Sequence, residues 1–114
     1  MVTIYGIRNC DTMKKAFAWL DSRGIAYTFV DYKKSGVVES CLPRWLAAAG
    51  WQALLNTRGL MWKKLSDADR ADIDAAKAAR LMATTPSLIR RPVIEVGKTV
   101  LIGFDPKRYE ESLQ

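Results

Sequence analysis

The 114-residue chain predicts one α/β domain in the order β-α-β, helical insertion, β-β-α, on a mixed four-stranded sheet. Three observations carry that expectation. Residues 2–5 and 26–32 have strand chemistry and flank an amphipathic helical stretch, which implies two parallel strands joined by a right-handed crossover. Residues 91–96 and 99–102 read as a hairpin turning at Gly97-Lys98. Between them, at about 35–89, apolar residues recur with helical spacing. The length and the 49% apolar content suit a single compact core.

Taken in order, the first strand runs into a loop opened by Gly6. Met13, Ala16, Phe17 and Leu20 then mark one buried helical face. Arg23-Gly24 stops that helix. The aromatic and β-branched alternation of residues 26–32 gives the second strand, and Lys33-Lys34-Ser35-Gly36 reads as a loop. Residues 39–49 form a helix with Leu42, Trp45, Leu46 and Ala49 on its stripe and Pro43 in its first turn. Residues 51–55 and 60–65 suit short helical turns around the loop 56–59. Ser66 opens a helix expected to continue to Met82, with Ala71, Ala75 and Ala79 on one face. A short helix spans 87–89, and after the hairpin Asp105 caps a final helix over 106–113.

Composition narrows the chemistry. Histidine is absent, which excludes cysteine–histidine dyads, serine triads and the commonest zinc sites. No run approaches the ~18 apolar residues of a membrane helix, and the chain opens on strand chemistry without a signal-peptide layout. Two cysteines and no secretory signal predict a reducing, cytoplasmic setting, with no membrane partner. The net charge of +6 is a solvated basic surface or marks an anionic partner, such as an oxyanion, a glutathione carboxylate, nucleic acid or an acidic protein face. The basic residues are scattered in pairs and form no nucleic-acid-binding motif, so nucleic acid is not the expected partner.

Cys10 is the candidate nucleophile. It stands at the threshold of the first helix, where unpaired N–H groups and the dipole favour thiolate over thiol. Arg8 lies two residues before it, and its neighbours Asn9, Asp11 and Thr12 are polar, which argues against a buried structural thiol. Cys41 sits in a helical pattern without basic company and reads as a packing or surface thiol rather than a resolving one. Met13 replaces the second cysteine of a Cys-x-x-Cys pair, so a local disulfide switch is ruled out.

A cysteine after the first strand and a proline opening the third make the order thioredoxin-like. The chain resembles the arsenate reductase-like ArsC/Spx family, and its small YffB-type members in particular. The resemblance rests on Tyr5-Gly6-Ile7 through Cys10-Asp11-Thr12-Met13-Lys14-Lys15-Ala16, on 54–59 (LLNTRG), on 87–93 (SLIRRPV) and on 101–104 (LIGF). It implies a cis bond before Pro92, with Arg91 aimed at a bound anion, and brings Arg58 to the same pocket. Arg8, Asn9 and Thr12 complete the expected substrate- and anion-binding set. Arsenate reductases of the family carry a further arginine where this chain has Gly103, which weakens the case for arsenate itself.

The mechanism so implied is attack by the Cys10 thiolate on a disulfide or oxyanion, with Arg91 and Arg58 holding negative charge and glutathione resolving the adduct. No cofactor or metal is bound in this scheme, glutathione is the co-substrate, glutaredoxin is a possible partner, and the chain acts as a monomer. The rival reading is an Spx-like regulator that binds RNA polymerase without turnover.

Overall fold

The computed structural model describes residues 1–113. Strand β1 (Val2–Gly6) leads into helix α1 (Asp11–Ser22), which returns to strand β2 (Tyr27–Asp31). Six helices follow before the second half of the sheet, beginning with α2 (Tyr32–Ser35), α3 (Val38–Ala49), α4 (Trp51–Leu54), α5 (Leu60–Lys64) and α6 (Asp67–Arg70). Helix α7 (Ala75–Thr84) and a 3-10 turn (Pro86–Leu88) lead to strands β3 (Val93–Val96) and β4 (Thr99–Ile102), and helix α8 (Pro106–Leu113) closes the chain.

The sheet is mixed and four-stranded, in the order β2-β1-β3-β4. β1 runs parallel to β2, with Val2 opposite Tyr27, and antiparallel to β3, with Tyr5 opposite Val93. β3 and β4 are the antiparallel hairpin around Gly97-Lys98. This is the thioredoxin-like arrangement that the sequence predicts.

Alternation along the strands divides the core into two layers. Ile4, Ile94 and Leu101 face α1 and α8, where they meet Met13, Ala16, Leu20 and Tyr109. Tyr5 and Val93 face the other way, onto Leu42, Trp45, Leu54, Ala78 and Met82 of α3, α4 and α7. Gly6 is required where β1 meets α1. A Cβ there would lie 2.4 Å from Met13 Sδ, so only a bare α-carbon lets the helix head approach the strand end.

Glu95 ties the second layer together. Its carboxylate accepts hydrogen bonds from Tyr5 Oη (2.8 Å) and Trp45 Nε1 (2.9 Å) and pairs with Arg44. Burial opposes its charge, but the donors of Arg44, Tyr5 and Trp45 outweigh that and hold the carboxyl below its ordinary value.

Several local expectations need correction. Tyr32, expected at the end of the second strand, and residues 33–35, expected in a loop, form a helical turn, because the Asp31 side chain accepts from the N–H groups of Lys33 and Lys34 and Gly36 ends the turn in the left-handed region. The helix expected from Ser66 to Met82 is two helices. Asp72 takes φ 51 and Asp74 caps a new start through the N–H of Lys77. The buried positions are therefore Ala78 and Met82, while Ala71 and Ala75 are exposed. Pro43 lies inside α3 rather than in its first turn. It is tolerated on the exposed face, where the Glu39 carbonyl it leaves without a donor sits on an exposed residue. No helix among the described residues is long and apolar enough to cross a membrane.

Candidate active site

Cys10 is the N-cap residue of α1, with extended backbone (φ −145°, ψ 130°), and it is half-buried. Its carbonyl accepts the first helical hydrogen bond from Lys14 N–H, and its side chain makes no capping bond of ordinary geometry. The sulfur thus sits at the positive end of a 12-residue helix with donors still available to it.

Burial pushes the Cys10 thiol up, but three groups act against it: the N–H of Met13, the Arg91 guanidinium and the N–H of Thr12. The net result is a thiol held below its ordinary value. Arg91 owes its position to β3. The Arg91–Pro92 peptide bond is cis, and Pro92 is buried at the strand's entrance. From there the guanidinium faces both the Cys10 sulfur and the Tyr32 phenol, and Nη1 donates to the Ser87 carbonyl at 3.4 Å. Its Nε is buried and has no partner among the described residues.

Tyr32 belongs to this cluster, and no sequence pattern announced it. Burial pushes its phenol up to about 12 despite the opposing Arg91 charge, and its hydroxyl donates to the Ile89 carbonyl at 3.0 Å. The neutral phenol is therefore a fixed wall and dipole beside the thiol. The Asp31 that caps α2 was the visible clue, since a turn begun there carries Tyr32 inward.

Two clefts open on the same loop and share Ile7 as a wall. One, of 340 Å³, lies between Arg91, Ser87, Asn56 and the α5 residues Leu60, Met61 and Trp62. The other, of 510 Å³, is lined by Arg8, Asn9, Asp31, Lys33 and Lys34. Of the expected site residues, Cys10, Thr12, Arg91 and Pro92 come together. Arg8 and Asn9 line the second cleft, where the Arg8 guanidinium stacks 4.7 Å from the Phe29 ring centroid rather than on the sulfur.

Arg58 is the exception. Its backbone N–H donates to Asn56 Oδ1 at 3.1 Å, which shapes a tight turn, while its side chain is exposed and lines neither cleft. Of the two expected arginines, Arg91 alone is set against Cys10 in this conformation.

Gly103 occupies a left-handed turn at φ 78°, its N–H bonded to the Pro92 carbonyl at 2.8 Å. A Cβ there would touch Arg90 Cδ at 3.4 Å. The position where the family resemblance implies an arginine in arsenate reductases is here a left-handed glycine turn packed against Arg90. Cys41 is buried in the opposite core layer, with Arg44 Nη2 3.1 Å from its sulfur, so the two free thiols lie on different faces of the sheet.

A thioredoxin-like fold with one cysteine at the head of α1, set against a cis-proline and its arginine, defines a class of thiol-bearing α/β proteins. Within that class, residues 5–112 match the model of the ArsC family, and the chain belongs to this family. Its structure is similar to that of a YffB protein, at 48% identity and a TM-score of 0.94 over the whole of both chains. An arsenate reductase (ArsC) related protein from Brucella melitensis is also 48% identical, with a TM-score of 0.79 over 99% of this chain and 94% of its own. The global transcriptional regulator Spx of Streptococcus pyogenes serotype M3 is 30% identical over 112 residues, covering 92% of this chain and 79% of the regulator.

Proposed function

We propose that the chain is a glutathione-dependent thiol oxidoreductase of the arsenate reductase-like type, acting in the cytoplasm as a monomer. The observation that carries this reading is the Cys10 sulfur at the start of α1, with Arg91 and two peptide N–H groups favouring its anion. A preformed thiolate needs no histidine base, and the chain has none.

In this mechanism the Cys10 thiolate attacks the glutathionyl sulfur of a mixed disulfide. An enzyme disulfide forms, the substrate S–S bond breaks, and the other sulfur leaves as a thiolate that takes a proton from water. Glutathione thiolate then attacks the glutathionyl sulfur, which yields oxidised glutathione and restores Cys10. An external thiol is required because Met13 stands where a local partner would be and Cys41 lies across the sheet. Arg91, with its unpartnered Nε, stabilises negative charge during transfer, Thr12 contributes its N–H, and Arg8 and Asn9 bind the substrate's polar part. Arg58 reaches the pocket only if its loop moves on binding. Arsenate is the weaker substrate, since Arg58 points to solvent and Gly103 supplies no cation.

The test is glutathione-dependent reduction of a mixed disulfide, coupled to glutathione reductase and run with and without glutaredoxin. Turnover that disappears in Cys10→Ser supports the reading. The similarity to Spx favours a second one, a regulator that binds RNA polymerase. Absence of turnover together with direct binding to purified polymerase would select it.

A further inference from the structure

Two clefts flank the loop that leads into Cys10, whose own side chain lines neither; they differ in chemistry and share one wall residue, Ile7. The first is the more apolar, walled by Ile7, Leu60, Met61 and Trp62, with Arg91, Lys64, Asn56 and Ser87 as its polar members. Leu60 stands 75% exposed at its lip, and beyond the first residue no other large hydrophobe among the described residues stands so far out in solvent. Met61 and Trp62, both half-buried, line the same cleft as Arg91. Leu60 adds nothing to the core, and with Ile7, Met61 and Trp62 it makes one contiguous apolar lining for an apolar group to cover.

The second cleft is charged. Arg8, Lys33 and Lys34 bring three cations against the single carboxylate of Asp31. Neither lysine side chain forms a salt bridge among the described residues, and Arg8 keeps its guanidinium edge free above Phe29. Glutathione carries two carboxylates and one ammonium, which is the complementary set.

We infer that the substrate of Cys10 is an asymmetric mixed disulfide, its glutathionyl half in the Arg8–Lys33–Lys34 arm and its other half an apolar, aromatic-sized thiol in the Leu60–Met61–Trp62 arm. The choice of glutathione for the first arm rests on the proposed function above. This orientation sets the reaction: Cys10 takes the glutathionyl sulfur, the apolar thiol leaves along the hydrocarbon arm, and a second glutathione releases the enzyme. The sum is one mixed disulfide and one glutathione converted to oxidised glutathione and a free apolar thiol.

Two unreactive thioethers, S-benzylglutathione and S-methylglutathione, separate the arms by calorimetry on the intact protein. The benzyl compound should bind about tenfold tighter or more, the factor that about 1.4 kcal/mol gives. Leu60→Ser, at an exposed site, should remove most of that advantage and leave S-methylglutathione unchanged. The double variant Lys33→Gln/Lys34→Gln should weaken both compounds by the same factor and flatten their salt dependence. Equal affinities, no binding of either, or a benzyl advantage untouched by Leu60→Ser would overturn the assignment. Expected thioether binding without turnover of any disulfide would remove the proposed function alone. Turnover with no preference between benzyl and hydroxyethyl mixed disulfides, and equal thioether affinities, would remove only the two-arm specificity.

Discussion

Replacing Arg91 by methionine keeps a flexible apolar stem and deletes the guanidinium that faces the Cys10 sulfur. A hydrogen bond to a charged group contributes about 1.5–3 kcal/mol, and about 1.4 kcal/mol is a factor of ten in an equilibrium. Cys10 is only half-buried, so solvent screening holds the loss toward the lower end, about tenfold in thiolate population at a fixed acidic pH. The assay is iodoacetamide alkylation of Cys10 followed by mass spectrometry across pH, which needs no substrate. The rate should fall about tenfold at low pH and converge with the wild type once both thiols are ionised. Arg91→Lys should lie between the two. Superimposable rate profiles would show that the guanidinium does not hold the anion, and the mechanism built on it would fail.

Three further outcomes follow from the same contacts. Glu95→Ala leaves the Trp45 and Tyr5 donors unpaired beside the second core layer and should cost about 2–4 kcal/mol by urea unfolding, with the Cys10 alkylation profile unchanged. Gly103→Arg, which places at this turn the arginine implied by the family resemblance, should cost about 1–2 kcal/mol in thermal melts, because φ 78° disfavours any side chain. Stability should also follow pH with two opposite signs. The lowered Cys10 value adds stability as pH rises from its folded value to the free-thiol range near ~8.5, and adds none below the folded value; Cys10→Ser removes that increment. The raised phenols of Tyr5, Tyr32 and Tyr109 take stability away as pH climbs past ~10, where unfolded tyrosine ionises first.

The sheet and its flanking helices were legible because their signals are local. The 3.6-residue stripe of α1, the Gly97-Lys98 turn and the Asp105 cap need no distant partner, and α8 falls at the expected residues 106–113. The middle of the chain was harder. Alanine favours helix without marking a face, so residues 66–82 read as continuous until the Asp74 cap and the left-handed Asp72 divide them. The turn at Asp31 is too short for periodicity to reveal. At the site, Cys10 could be picked out from its place before a helix. Its meeting with Arg91 was implied only by the family resemblance, and that with Tyr32 by neither resemblance nor pattern, since these residues converge only when α2, the 3-10 turn and β3 pack together. Arg58 was misplaced for the converse reason: a glycine-bounded loop fixes its own backbone through Asn56 but says nothing about where the long side chain points.

The proposed chemistry requires Cys10 to exist as an anion near neutral pH. Titrating the ultraviolet absorbance of its thiolate against pH, with Cys10→Ser as the blank to subtract Cys41 and the tyrosines, measures this directly. A midpoint clearly below the free-thiol value of ~8.5 is the predicted result. A midpoint at or above it would mean that burial outweighs Arg91 and the helix N–H groups, and that this cysteine is not the nucleophile.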